Sequence, residues 1–219
     1  MLSPNQRMYN FSYFKEPERS NVLAFMEKYP FVFLTGSYNN GQQVATQVPV
    51  MVIEKPDGLY VQGHLMRNTD HYKAFVENTN VLAVFTGPSA YVSAAWYATP
   101  QQGSTYNYMS VHVPGVIQFL SPEALRELMQ RFTLKFEANN ASSPTVFNNL
   151  PVDYTDKMLA AIVGFEIKIE TLDTVFKLSQ NRDEQSYTTI ITELAKQGGN
   201  AAVIAEEMKK RQGQLFPKK

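Results

Sequence analysis

The residues best suited to chemistry fall in four short runs. In Gly63-His64-Leu65-Met66-Arg67-Asn68 a strand-like alternation gives way to a helix start, where unpaired N–H groups and a partial positive charge collect. The planar fork of Arg67 matches phosphate oxygens. A solvated arginine next to a capping asparagine fits the same residues. In Ala45-Thr46-Gln47-Val48-Pro49 a hydroxyl accompanies a proline that has no N–H to give to a ladder. Backbone groups freed around Gln47, Val48 and Pro49 are able to read the edge of a planar heterocycle; an edge strand with a bulge is the plainer alternative.

The third run is aromatic: Tyr91, Trp96, Tyr97, Tyr106 and Tyr108, interleaved with Ser93 and Asn107. Aromatic faces with amides between them suit a flat ligand such as a flavin. Core packing competes, more strongly for Tyr91 and Tyr97 than for Trp96. The last run, Lys177-Leu178-Ser179-Gln180-Asn181-Arg182, has five polar side chains in six and joins a strand to a helix. Turn chemistry with Asn181 as a cap explains it alone, and a ligand role depends on the other three runs.

Composition removes several classes. The 219 residues include no Cys, which closes disulfide scaffolds, thiolate metal sites and thiol nucleophiles together. His64, His71 and His112 lack metal-ligand spacing, so no metal is expected, and GxGxxG, Walker A, GxSxG and HExxH are all missing. No apolar stretch of about 18 residues exists and Met1 to Phe14 holds no leader-like run, which predicts a cytoplasmic protein with no membrane contact. Charged residues are 18% of the chain against roughly 25% in typical domains, so either much of the surface is polar but uncharged or part of it is covered by a partner. Twenty basic groups balance twenty acidic ones, but five of the basic ones lie in the last eleven residues: Lys209, Lys210, Arg211, Lys218 and Lys219. Residues 1–208 therefore hold fifteen basic against twenty acidic groups. DNA contact, if any, belongs to that tail, and a solvated helix end is the simpler reading.

Positioning these runs requires a sheet with peripheral helices. Val22, Phe25, Met26 and Tyr29 mark a short opening helix stopped by Pro30. Three antiparallel strands follow at 31–38, 43–54 and 59–65, separated by Asn40-Gly41 and Asp57-Gly58, with the second expected to be interrupted or at an edge at Pro49. Asn68 or Thr69 caps a helix ending near Asn78. Strands resume at 81–85, briefly around Tyr91 and at 106–120, with an ordered loop before Thr105. Helices start at Pro122 and Pro151, strands occupy about 165–169 and 174–178, and helices at about 183–197 and 201–212 close the chain, the last capped by Asn200 and ended by Gly213. The expected class is α+β, an antiparallel β-barrel with short connecting helices and C-terminal helices.

Taken together, ATQVPV (45–50), the Gly-His start of 63–68, FTGPSAYVSAAWY (85–97), YNYMSVHVPG (106–115), AIVGFEI (161–167) and KLSQNR (177–182) resemble the PaiB family of FMN-binding split-barrel proteins, over roughly Tyr9 to Arg211. The resemblance implies non-covalent FMN, a homodimer with flavin sites at the subunit interface, a domain over 1–180 and a helical extension with a basic tail over 181–219. It implies that Arg67, helped by His64, Asn68 and Thr46, holds the phosphate, while backbone around Gln47, Val48 and Pro49 meets the ring edge. Trp96, Tyr106 and Asn107 would lie near the ring or ribityl chain, and Lys177, Gln180 and Asn181 would close the site. A negative transcriptional regulator is the family's usual label; a flavin-dependent oxidoreductase, of the flavin reductase or pyridoxamine-phosphate oxidase kind, is the alternative. Gln47 stands where relatives commonly have His in ATHLPL, Ser89, Ala94 and Ala95 replace residues of GPHAYISPSWY, and Tyr106 replaces Trp in TWNY. Two imidazoles near the ring are therefore gone, while the phosphate run is intact.

Overall fold

Where strands change partners decides what this sheet exposes. The computed structural model describes residues 11–217, and its strands are β1 (Phe31–Ser37), β2 (Gln43–Lys55), β3 (Gly58–Met66), β4 (Asn80–Val92), β5 (Thr105–Phe119), β6 (Ile162–Lys168) and β7 (Asp173–Lys177). They form one sheet in the order β4-β1-β2-β3-β6-β5-β7, and β4 also pairs with β5, so the sheet partly closes into a ring. Six α-helices accompany it: α1 (Arg19–Lys28), α2 (Asp70–Glu77), α3 (Pro122–Phe136), α4 (Val152–Ala161), α5 (Glu184–Gln197) and α6 (Gly199–Leu215). The class is α+β, as expected. No helix of the described residues is long and apolar enough to cross a membrane.

The chain divides into two compact units, and β4 and β5 each contribute to both. The larger comprises 26–85 and 112–172. Here β2 pairs with β1 as far as Phe31↔Pro49 and with β3 from Val50↔Gly63 onward. Pro49 therefore neither interrupts the strand nor marks an edge. It sits where β2 leaves one neighbour for the next, the position at which a missing N–H costs nothing, and Val50 N–H donates to the Pro30 carbonyl (2.8 Å). Gly63 is required there: a Cβ would lie 2.8 Å from the Phe165 ring and 3.1 Å from the Pro49 carbonyl. Helix α3 starts as its Ser121-Pro122 pair predicts, with the Ser121 hydroxyl accepting from Ala124 N–H. It lays Leu128 and Phe132 on Met51, while Leu125 and Met129 join Phe147 and Ile162.

The smaller unit comprises 11–25, 86–111 and 173–217 of the described residues. The short strand expected around Tyr91 is the end of the continuous β4. Gly87 marks a close approach, since a Cβ on it would lie 2.6 Å from the Phe25 ring. Asp183, not Asn181, caps α5 by accepting from Ser186 N–H (2.9 Å). Helix α6 begins at Gly199, so Asn200 is not its cap, and it runs through Gly213 to Leu215. Packing of Phe216 against Tyr187 (centroids 5.4 Å apart) outweighs the low helix propensity of that glycine. Nor is the basic tail simply solvated. Arg211 bonds Glu16 (2.7 Å) and Glu207 (2.9 Å), and Lys210 also reaches Glu207 (2.7 Å), while Lys218 and Lys219 lie outside the described residues.

Gly63→Ala should destabilise the fold by about 1–3 kcal/mol, because neither the buried Phe165 ring nor the Pro49 carbonyl has room to retreat. The midpoint of urea unfolding reads this directly; an unchanged midpoint would mean that the close approach at the partner change is not there.

Candidate functional site

Strand alternation sorts the candidate residues by face. Gln47 pairs with Phe33 and Pro49 with Phe31, so these four side chains share one face of the sheet. The neighbouring pairs Val50↔Gly63 and Met51↔Gln62 put His64 on that face too, because residues two apart point the same way. Phe31 is 54% exposed and Phe33 42%, with Val84 paired to Phe33 from the other side. Thr46 and Val48 point to the opposite face, where Val48 is buried. The outcome for the second run is therefore mixed: Gln47 and Pro49 stand on an open apolar face, and Val48 belongs to the core.

Further along that face the sheet is covered by α3. Arg131 donates to the Gln62 side-chain oxygen (3.1 Å), and Gln62 donates to Glu166 (2.7 Å), which Lys55 also holds (2.6 Å). His64 meets Phe132 edge-on, ring centroids 5.4 Å apart. Its Nδ1 is buried and has no hydrogen-bond partner among the described residues. Burial pushes its pKa below the ordinary imidazole value, so the ring is neutral at neutral pH.

Past the end of β3, Arg67 N–H donates to the Ala161 carbonyl (3.0 Å), which fixes the backbone of the turn. Thr69, not Asn68, caps α2, accepting from Tyr72 N–H (3.3 Å), and this leaves the Asn68 amide exposed. The Arg67 side chain is exposed, forms no ion pair among the described residues, and lines a cavity of about 560 Å³ with residues of α3 and α4. That cavity carries both signs: Arg67 and Arg126 face Glu123, Glu127 and Asp156, and Arg126 is neutralised by Asp156 (2.8 Å). A guanidinium without an acidic partner, a free amide and an orphaned imidazole nitrogen form a donor set of the kind a phosphate monoester takes.

The remaining candidates lie in the smaller unit and separate into exposed and committed residues. Tyr106 is 57% exposed and meets Tyr91 edge-on at 5.7 Å. Trp96 is half-buried on a short 3-10 turn, Ala94–Trp96, whose start is capped by Ser93. Asn181 is exposed. By contrast Asn107 is fully buried: its carbonyl accepts from the Ser179 hydroxyl (3.0 Å) and its amide reaches the Met208 sulfur (3.4 Å). Gln180 braces its own turn, accepting from Leu178 N–H and donating to the Phe176 carbonyl. Lys177 is half-buried with its ammonium on the Thr105 hydroxyl. Gln102 was not singled out by sequence, and Tyr97 and Arg182 only as members of longer runs, yet the Arg182 guanidinium lies 4.0 Å above the Tyr97 ring and bonds the Gln102 amide oxygen. Only the shared polarity of the KLSQNR run hinted at it.

Known proteins share this framework. Residues 8–171 match the family model described as "Putative FMN-binding domain". The chain is 31% identical over 202 residues to the protease synthase and sporulation protein PAI 2 of Bacillus subtilis, covering 92% of this chain and 96% of that one. Among solved structures it is similar in fold to the flavocytochrome Anf3 from Azotobacter vinelandii (TM-score 0.57, 19% identity, 80% of this chain and 74% of that one). It is also similar to the FAD and heme binding protein from Mycobacterium smegmatis (TM-score 0.53, 14% identity, 74% and 72%).

The lowered pKa of His64 has a measurable consequence. Between the ordinary imidazole value near 6.5 and its depressed folded value, the unfolded chain binds more protons than the native one, so stability falls as pH drops through that window. His64→Gln should flatten this part of the stability profile in urea titrations at stepped pH. A profile as steep as that of the unsubstituted protein would place the titrating group elsewhere.

Proposed function

The chain belongs to the FMN-binding domain family, in its PaiB-like branch, and on that premise we propose that it works as a flavin-binding homodimer of the PaiB regulator type. FMN is its cofactor. The observation that carries the site is the run from His64 to Asn68, where an unpaired guanidinium, a free amide and an orphaned buried nitrogen meet a strand end. We assign the flavin phosphate to Arg67, Asn68 and His64, and the ring edge to backbone around Gln47, Val48 and Pro49; Thr46, on the opposite face of the sheet, is left out of the phosphate assignment. Within the smaller unit, Tyr106 and Asn181 are exposed and Trp96 is half-buried, and the family resemblance is what points these three to a flavin. Asn107 and Gln180 keep the shape of that region from within.

The second copy is supported by the bare face of Phe31, Phe33, Gln47 and Pro49, since exposed aromatic and apolar side chains on one sheet face are what an interface core uses. Bound FMN supplies reversible one- and two-electron transfer. The protein's part is to anchor the phosphate by charge and hydrogen bonds, to present backbone and aromatic groups, and to keep water from the covered face. With Gln47 and Ser89 where relatives commonly carry His, the chain presents an amide and a hydroxyl and takes no proton there at neutral pH.

Similarity along almost the full length of the Bacillus subtilis protein supports the regulator reading. One structural observation favours flavin redox chemistry as the second reading: Arg211 and Lys210 of the basic tail are held by Glu16 and Glu207, which withdraws charge from any DNA contact. Protein reconstituted with FMN should keep its visible flavin band through desalting, and Arg67→Ala should weaken titrated FMN affinity about tenfold or more. A band lost on desalting together with an indifferent Arg67→Ala would overturn the assignment. A DNA mobility shift that weakens with salt supports the regulator, whereas NAD(P)H oxidation by the holo-protein without any shift supports the oxidoreductase.

A further inference from the structure

The cavity that Arg67 lines between α3 and α4 is generous in volume and poor in positive charge. Its volume of about 560 Å³ falls within the roughly 300–1,000 Å³ of pockets that take small organic ligands. Arg126 is neutralised there by Asp156 (2.8 Å). What remains is Arg67 against Glu123 and Glu127, one turn apart on α3, and neither carboxylate forms an ion pair among the described residues. The amino end of a helix such as α3 ordinarily welcomes a phosphate, but here its first donors are taken. Ala124 N–H donates to the Ser121 hydroxyl (3.2 Å) and Leu125 N–H to the Ser121 carbonyl (2.8 Å). The Glu123 carboxyl is held below its ordinary pKa, first by its own backbone N–H and then by the Ser121 hydroxyl, so it is charged at neutral pH.

We propose that Glu123 and Glu127 are specificity-determining residues, which make the site take the mononucleotide flavin FMN and refuse the dinucleotide FAD. This rests on the assignment of the flavin phosphate to Arg67, with the ring toward Pro49, so that any extension past the phosphate enters the cavity. FMN ends at the one phosphate that Arg67 meets. FAD has to carry a second phosphate and an adenosine beyond it, into a space where one guanidinium is already engaged and two carboxylates face the arriving anion. Volume does not keep the adenosine half out; repulsion between like charges does. Ligands that share a common half are told apart by a repulsive element of this kind as well as by attractive contacts.

Calorimetric titration of the apoprotein with FMN and with FAD, each at low and at high salt, tests the filter. The expected result is FMN bound about tenfold or more tighter than FAD at low salt, with the gap narrowing as salt screens the carboxylates. The double variant Glu123→Gln, Glu127→Gln keeps the size of both side chains and removes their charge. It should narrow the gap by about threefold or more at low salt, with FAD gaining more affinity than FMN. FAD bound as tightly as FMN by the unsubstituted protein overturns the proposal, and so does a gap that survives in the double variant. A gap closed by Leu159→Ala also overturns it, since that change enlarges the cavity and leaves its charge alone. Failure of the filter and failure of the flavin site are distinguishable. FMN held through Arg67 beside equally tight FAD removes only the filter, whereas FMN affinity indifferent to Arg67→Ala removes the phosphate assignment and the filter with it.

Discussion

The change of partner along β2 organises the larger unit. Beyond the pair Phe31↔Pro49, where β1 begins, β2 continues with β3 from Val50. One strand thereby serves two neighbours, which is how a sheet bends toward a ring rather than spreading flat. The strand face that is bare at Gln47 is roofed at Met51 by Leu128 and Phe132 of α3. Gly63 permits this by letting the Phe165 ring and the Pro49 carbonyl close in. Open face and covered face thus meet beside the run from His64 to Asn68.

That arrangement explains why polar groups near the boundary are unequal. Gln62 is buried but fully employed between Arg131 and Glu166. His64, two residues on, meets an aromatic edge and keeps a nitrogen unsatisfied. Arg67 and Asn68, beyond the strand end, are exposed and uncommitted to any ion pair among the described residues. Along this face the polar groups that hold the structure have partners, while the His64 nitrogen beside Arg67 and Asn68 does not.

Much of this was legible in the sequence. Val, Phe, Tyr and Thr alternation with Asn-Gly and Asp-Gly turns located β1 to β3 within a residue or two, and Ser121-Pro122-Glu123 announced α3. Local signals failed where distant packing decided. The sequence reading separates a strand at 81–85 from a brief one around Tyr91, yet Gly87-Pro88 lies inside one continuous β4, with the Phe25 ring filling the space of a side chain at Gly87. Gly213 reads as a stop, but Phe216 on Tyr187 carries α6 past it. The site shows the same division. Arg67 was identifiable from residue type and position, whereas Asn107 shares an aromatic, amide-rich run with Tyr106 and still ends fully buried, because alternation turns adjacent residues to opposite faces. Arg182 gains its setting from Tyr97 and Gln102, about 80 residues earlier in the chain, a pairing that no spacing reveals.

The central claim is that the bare face around Phe33 and Gln47 joins a second copy and that flavin is held in that assembly. Sedimentation of FMN-loaded protein, monitored at the visible flavin band rather than in the ultraviolet, addresses both halves at once. The account predicts that flavin absorbance sediments with a species of two chains, and that Phe33→Glu shifts it to slower species. Flavin travelling with a single chain, or a Phe33→Glu protein that keeps both its size and its flavin, would contradict it.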